Sequence, residues 1–443
     1  MLSSISKNKH LNMTLFQRTG VLLLFLSLFG MTTQAQEYKN FISDQLNADK
    51  YEVLKQQFYD YKVIQLPLNE LDEWVQSAEF DYSLSIDVEG FKRWDISLYP
   101  HDIKGRNYRL RTSSGIEIPS TKVISFMGHV GKGGNSDVRL VIDQSYLGGL
   151  IYDGESVWYI EPLFRYVKGV SKDLFVLYDE KQVIPSEESG CLAIETEAFL
   201  NRKIEKEEER LPGEIKGEAQ PMMQCYETEI ATAHDKYMFD KYGSVSACES
   251  HAIAVMNNVS TNYDNEFADE IQLFISEQFV EQNNINFPTS STNAGTVLSS
   301  FRNWANGGGF SGPYDLGALW TDRDFQGGTI GIAYLNAVCS GSRYHALQDF
   351  SNNAQLLRVL QSHEIGHNFS CTHDPPGSPT IMAPSVNNTN TWSNQSINQV
   401  NNFIPNAGCL APCASSQPPI ANFTANITSG CAPLTVQFTD QSS

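Results

Sequence analysis

Apolar and polar positions alternate in short stretches from residue 36 to about residue 200. Ser83-Leu84-Ser85-Ile86-Asp87-Val88 is one stretch and Val138-Arg139-Leu140-Val141-Ile142 another, and residues 150–160 and 174–177 continue the pattern. Gly, Asn and Asp separate them. A period of two lays one face of an extended chain on a core, so this segment is predicted to be largely β. Gly131-Lys132-Gly133-Gly134 lies between two runs, lacks the spacing of a phosphate loop, and reads as a turn.

The period changes after Cys225. Strands are predicted at 229–233, 270–279, 315–320 and 329–338. Between them the spacing turns helical: at 248–259 (Ala252, Val255, Met256, Val259), at 294–304, and most strongly at 352–369. Strands that alternate with helices imply a sheet with helices packed against it. The Gly-rich stretch 303–309 has no Lys-Ser or Lys-Thr after it, so it is not read as nucleotide-binding.

The ends and the joins have their own composition. Residues 1–35 are laid out as an export signal: Lys7, Lys9 and Arg18, an uncharged apolar run at 21–29, and Thr33-Gln34-Ala35 as the cleavage site before Gln36. The alternative is an uncleaved anchor, but the run falls short of the roughly 20 apolar residues a span needs. No later stretch approaches that length, so the mature chain is expected to be secreted, with no membrane span. Residues 201–220 carry a charge run, Lys203-Ile204-Glu205-Lys206-Glu207-Glu208-Glu209-Arg210, followed by Leu211-Pro212-Gly213. Such a run reads as a solvated linker and suits proteolytic processing. Residues 414–419 form a second linker, containing Ser and Pro.

Composition narrows the field. Of 443 residues, 41% are hydrophobic and 19% charged, which supports buried cores and excludes a mainly disordered chain. The length suggests about two to four domains. A net charge of −20 argues against nucleic acid or an anionic membrane surface as partner. Eight cysteines in an exported chain are expected to pair, and none forms a C-x-x-C. Cys225, Cys248, Cys339, Cys371, Cys409 and Cys413 fit one disulfide-stapled domain, with Cys191 and Cys431 outside it.

The chemistry concentrates in His363-Glu364-Ile365-Gly366-His367-Asn368-Phe369-Ser370-Cys371-Thr372-His373-Asp374. It follows an apolar helical approach: Leu356, Leu357, Val359 and Leu360. Helix positions i and i+4 face one way, so His363 and His367 can present ring nitrogens to one ion at about 2.0–2.1 Å. A sharp turn after Phe369 lets His373 add a third nitrogen from outside the helix. Three nitrogens leave zinc's fourth position open, which is its catalytic arrangement. Glu364 stands beside them, placed to hold a metal-bound water and take its proton.

This stretch resembles the long zinc motif of the metzincin peptidases. Thr380-Ile381-Met382-Ala383-Pro384 looks like that family's Met-turn, which implies that Met382 floors the site without ligating. Within the metzincins the similarity is greater to the reprolysin or adamalysin family, since Asp374 directly follows the third histidine. Thr329-Ile330-Gly331-Ile332-Ala333-Tyr334, with Cys339 after it, resembles the family's edge strand. The implied role of Thr329, Ile330, Gly331, Ile332 and Ala333 is to pair with an extended peptide substrate. Residues 392–410 resemble the family's last helix, and its disulfide carried across pairs Cys339 with Cys409. The resemblance covers roughly residues 225–413. One departure is Ser370, where the family usually has glycine to make the turn.

Two further sites follow from the resemblance. Glu229, Asp315 and the carbonyl of Cys409 match positions that bind calcium (Ca2+) in the family; the alternative is an ordinary surface carboxylate pair. The segment before the catalytic region is then a propeptide. Cys191, its sole cysteine, either fills the open zinc position as a cysteine switch or is a structural thiol. Residues 420–443 resemble the opening of a PKD-type β-sandwich.

The expected architecture is an α/β zincin, a mixed sheet with packed helices and an active-site helix. A β-rich prodomain precedes it and the start of a β-sandwich follows. The expected boundaries are 1–35 signal, 36–220 propeptide with charged linker, 221–413 catalytic domain, 414–419 linker and 420–443 sandwich start. The expected activity is zinc (Zn2+) endopeptidase acting on protein or peptide substrates, with the chain's own propeptide as inhibitor. Two alternatives stand beside it. Pappalysin-like metzincins share the motif, though Asp374 and Cys339 favour reprolysin. An adhesive protein with a disused zincin core would not need Glu364 and all three histidines intact.

Overall fold

The computed structural model describes residues 38–77, 82–115, 122, 124–131, 135–185, 190–195, 225–267, 271–283, 291–413, 423–425 and 438–440. The expected signal at 1–35, the linker at 201–220 and most of the sandwich start lie outside them. Of that last segment, Phe423–Ala425 and Phe438–Asp440 pair antiparallel.

Two sheets organise the rest. The first has ten strands: β1 (Lys39–Ser43), β2 (Gln45–Leu46), β3 (Lys62–Gln65), β4 (Tyr82–Val88), β5 (Lys92–Pro100), β7 (Ser125–Val130), β8 (Asp137–Asp143), β9 (Tyr146–Tyr152), β10 (Val157–Pro162) and β11 (Leu174–Asp179). Their spatial order is β1-β4-β5-β7-β8-β9-β10-β11-β3-β2. One helix, α1 (Leu68–Ser77), belongs to this half, and its buried Leu68, Leu71 and Val75 join a core with Leu84, Trp94, Ile96, Leu140 and Phe175.

The second sheet has eight strands and draws on both halves of the chain. Its order is β12 (Gly190–Glu195), β16 (Thr329–Leu335), β17 (Tyr344–Gln348), β15 (Leu316–Thr321), β13 (Tyr226–His234), β14 (Ile271–Val280) and β6 (Lys104–Thr112), with β18 (Ala411–Pro412) pairing β13 off that path. β16 runs antiparallel to β17, whereas β13, β14, β15 and β17 are parallel. Every residue of β15, β16 and β17 is buried, as expected of strands covered on both faces. Two strands that composition assigns to the N-terminal segment, β6 and β12, therefore close the two ends of this sheet. β16, read from sequence as an edge, is covered by β12.

The helices are α2 (Lys236–Tyr242), α3 (Val245–Phe267), α4 (Ala294–Trp304), α5 (Ala354–Asn368) and α6 (Asn394–Phe403). Leu316, Ala318, Ile330 and Leu347 share a core with α3 and α5, while Leu319, Ile332 and Ala346 pack with Val297, Leu298 and Phe301 of α4. Strand alternation thus puts α3 and α5 on one face and α4 on the other. Side-chain caps fix where the helices start. Asn293 accepts from Thr296 N at 2.9 Å, Asn353 from Leu356 N at 3.1 Å and Ser393 from Ser396 N at 3.1 Å.

Two expectations needed correction. The helix predicted at 248–259 runs on to Phe267, because Asn257, Asn258, Ser260, Thr261 and Asn262 are all buried and break the apolar period. Asn257 Nδ2 donates to the carbonyls of Phe126 at 3.4 Å and Leu140 at 3.3 Å, so polar residues face the N-terminal sheet. The stretch 303–309, expected as a loop, instead prolongs α4 as a π-helical turn at Ala305–Gly309.

Gly149 sits at φ 151° where β9 crosses β8, and a Cβ there would fall on the Arg139 carbonyl. Gly149→Ala is expected to cost roughly 1–3 kcal/mol through forced overlap. Thermal unfolding followed by circular dichroism checks this; an unchanged midpoint refutes it.

Candidate metal centre

All of α5, from Ala354 to Asn368, is buried. Leu356, Leu357, Val359 and Leu360 seat it in the core, and this fixes the direction in which His363, Glu364 and His367 project. The helix ends sharply. Ser370 takes the left-handed conformation, φ 83°, and its N–H donates to His367 O at 2.9 Å while Cys371 N donates to Gly366 O at 2.9 Å. Serine thus makes the turn that glycine makes more easily, at a cost of roughly 1–2 kcal/mol.

The turn returns His373 to the helix. His373 Nε2 lies 3.2 Å from His363 Nε2 and 3.2 Å from His367 Nε2. The other nitrogen of each helical histidine is occupied: His363 Nδ1 donates to Ile381 O at 2.7 Å and His367 Nδ1 to Cys371 O at 2.7 Å. Those bonds place the proton on Nδ1 and turn the bare Nε2 lone pairs toward one another. Burial, and then the neighbouring His373, push His363 down to about 3. Burial also holds His367 well below the usual range and lowers His373, so all three imidazoles are neutral at pH 7. Three lone pairs pointed at one spot repel unless a cation lies between them. Tetrahedral zinc at about 2.05 Å needs ligand nitrogens about 3.3 Å apart, so the donor set fits that ion.

Glu364 is fully buried, and the Cys191 thiol is the hydrogen-bonding neighbour of its carboxylate. Burial lifts its carboxyl well above the usual range. Gly331 of β16 makes room for it, since a Cβ at that position would land on Glu364 Oε1. Gly366 does the same for Met382, whose Sδ would be 2.7 Å from a Cβ there. Asp374 ties the third histidine's segment to the Met382 turn: its N–H donates to Met382 O at 2.8 Å, and its carboxylate accepts from Thr380 Oγ1 at 2.6 Å and Ser393 Oγ at 2.7 Å.

His345 had no companions in the sequence, yet it braces the helix. Its Nδ1 meets Asn368 Oδ1 at 2.7 Å and its Nε2 meets Gln361 Nε2 at 2.9 Å. Asn368 Nδ2 in turn donates to Tyr334 O of β16 at 2.9 Å. Nothing local in the sequence signals this network, because its members are 16 to 34 residues apart.

Cys191 arrives on β12, which pairs parallel with β16. Its Sγ lies within 4.8 Å of the ligand atoms of His363 and Glu364, and its N–H donates to Pro384 O at 3.1 Å. Among the described residues, the two His/Cys/Asp/Glu groups that could hold a metal are His363 with His367 and His373, and Cys191 with His363 and Glu364.

Elsewhere, Glu229 within β13 and Asp315 just before β15 stand side by side on adjacent strands. Asp315 Oδ2 accepts from Glu229 N at 2.8 Å, and Asp315 N donates to Glu229 O at 2.8 Å. Cys339 and Cys409 are joined, as are Cys225 and Cys413, whose pairing the sequence left open, but Cys191, Cys248 and Cys371 are buried free thiols, against the expectation that the cysteines pair. The Cys339–Cys409 bond brings the segment at Cys409 beside the Asp315 strand, where Cys339 N lies 3.5 Å from Asp315 O.

Residues 226–409 match the family described as Reprolysin_5, metallo-peptidase family M12. The zinc metalloproteinase barnettlysin-1 of Bothrops barnetti is 38% identical over 79 residues, 16% of this chain and 39% of that protein. Recombinant fibrinogenase II, a zinc metalloproteinase of Deinagkistrodon acutus, is 37% identical over 101 residues, 21% of this chain and 43% of that protein. The zinc metalloproteinase-disintegrin-like atrase-A of Naja atra is 23% identical over 268 residues, 59% of this chain and 42% of that protein. The chain spans less than half the length of each of these relatives. Family match and relatives together support a reprolysin-like metzincin metalloprotease domain over residues 226–409.

Proposed function

We propose that this chain is a secreted zinc endopeptidase made as a zymogen. One observation carries the reading: three bare imidazole nitrogens meet at 3.2 Å contacts, with a buried carboxylate beside them. His363, His367 and His373 would hold the zinc. Zinc, when bound, polarises the scissile carbonyl and acidifies water. Glu364 takes the proton of the attacking water and passes it to the departing amine nitrogen. Met382 and Asp374 keep the histidines in place. β16, once free, offers its backbone to an extended peptide, which aligns the bond to be cut.

Latency is supported by the same geometry. β12 fills the backbone positions of β16, and Cys191 is the side chain it brings to His363 and Glu364. Residues 36–220 act as the propeptide and the charged linker as the processing region. Disulfides at Cys225–Cys413 and Cys339–Cys409 suit an oxidising compartment outside the cell. Among the described residues, no helix is long and apolar enough to cross a membrane.

Calcium at Glu229, Asp315 and the Cys409 carbonyl is part of the same proposal. Burial, and further the charge of Glu229, lift Asp315 to about 6 despite its bond from the Glu229 N–H. Burial, and further the charge of Glu227, also raise Glu229, and a divalent cation would relieve the charge these carboxylates carry side by side.

Three outcomes are expected. Glu364→Gln should retain stoichiometric zinc by elemental analysis yet lose about 10²–10⁴-fold in casein cleavage; normal activity in this variant would overturn the mechanism, and chelation should silence the wild type. Cys191→Ser, in the uncut chain, should hydrolyse casein where the wild type is latent; equal latency would remove Cys191 from the lock. The third concerns pH. An acid whose folded pKa is raised from 3.8 to about 6 adds stability below pH 3.8 and loses it as pH climbs through about 6. Calcium-free protein should therefore lose stability over that window, and Asp315→Asn should flatten the loss. Millimolar calcium at pH 7.5 should raise the wild-type unfolding midpoint and not that of Asp315→Asn; equal shifts would place calcium elsewhere.

A further inference from the structure

We infer that the body of the N-terminal half, residues 40–185, is a lasting subunit of the catalytic unit, and that β12 alone is the removable lock. The inference rests on the zymogen reading above and extends it.

The far end of the catalytic sheet belongs to this body. β6 pairs parallel with β14, with Leu110 opposite Gln278 and Thr112 opposite Val280. Glu277 of β14 is 1% exposed and accepts from Arg111 Nη1 at 3.0 Å. Ser311 N and Gly312 N also donate to that carboxylate, at 2.8 and 2.9 Å, but Arg111 supplies the positive charge. Loss of the body would leave a buried anion without its cation and a nearly all-buried strand without its neighbour.

The metal-site helix depends on the body too. Ala354 N, at the start of α5, donates at 2.9 Å to Glu161 Oε1, a fully buried carboxylate on β10. Negative charge at a helix start opposes the positive end of the helix dipole. Arg358 of α5, also fully buried, lies 5.7 Å over the ring of Tyr159 and 3.9 Å from Glu180 Oε2. On α3, Ser260 Oγ and Asp264 Oδ2 receive Arg139 at 3.1 and 3.0 Å. Phe58, Leu150, Tyr159 and Tyr178 share a single core with Ile253, Leu356 and Leu360. A shared core of this kind marks a permanent interface rather than a passing one.

β12 is held differently. It has a backbone ladder, the buried Cys191 whose N–H donates to Pro384 O at 3.1 Å, and a half-buried Ile194 against the core of α4, while Leu192 is 47% exposed. Cutting the chain after it frees one end of this strand and leaves every contact of the body in place.

Cys248 reports on the outcome, because it is buried against Leu110 and Val280 at the β6 end. The test uses the full chain with a specific protease site inserted between Asn201 and Gln224, cut and run on gel filtration. The expected result is both pieces in one peak at the volume of the uncut chain, casein cleavage in that peak, and Cys248 unmodified by iodoacetamide in peptide mass spectra. The inference is overturned if the piece from residue 225 onward elutes alone and cleaves casein. One peak without casein cleavage would uphold the contact and count against the peptidase reading instead. In cut Arg111→Ala/Arg139→Ala, the pieces should separate, Cys248 should become alkylated and activity should fall; if that variant does not fold, the wild-type elution decides.

Discussion

Three imidazole lone pairs aimed at one point are a source of repulsion until a cation joins them, and the rest of this structure exists to hold them there. Two come from one helix at a spacing fixed by its pitch, the third from beyond a turn that serine makes in a left-handed conformation. Each neighbouring device removes a degree of freedom from that arrangement. The Ile381 and Cys371 carbonyls set the tautomers. Asp374 ties the outlying histidine to the Met382 turn, and Gly331 and Gly366 leave space where a side chain would displace Glu364 or Met382.

A helix buried along its whole length needs partners for its polar groups, and they come from distant parts of the chain. Ser362 is met by Asn262 and Tyr263 of α3, Asn368 by His345 and Tyr334, and the helix start by Glu161. Because these partners come from both halves, the ordering of the metal site and the docking of the N-terminal sheet are one event. A core that mixes residues from both halves makes separate folding of either one costly in exposed apolar surface.

What the sequence revealed follows from distance along the chain. The His363, Glu364, His367 and His373 pattern is local, so helix pitch and one turn were enough to bring it together on paper. The alternation in residues 36–200 and the helix at 352–369 were legible for the same reason. Illegible were the features set by strand pairing between distant segments. β6 at one end of the catalytic sheet and β12 at the other have no local signature, since any alternating run would pair as well. Cys191 illustrates this: the sequence left it as a switch or a structural thiol, yet parallel pairing of β12 with β16 carries it to His363 and Glu364. The end of α3 was missed because burial of Asn257 and Ser260 against the other sheet outweighed the apolar period.

The two strands at the ends of the eight-stranded sheet also fit the proposal that one chain is both stable and releasable. Backbone ladders at the two ends are chemically alike, so the difference must lie in side chains. β6 adds a buried ion pair at Glu277 and apolar packing through Leu110. β12 adds a buried thiol beside His363 and Glu364 and a half-buried Ile194, and leaves Leu192 47% exposed. Breaking a buried ion pair typically costs about 3–5 kcal/mol, whereas a partly exposed strand gives up much less. The weaker attachment therefore sits over the histidines, where release has a consequence, and the stronger one sits at the far end, where it has none.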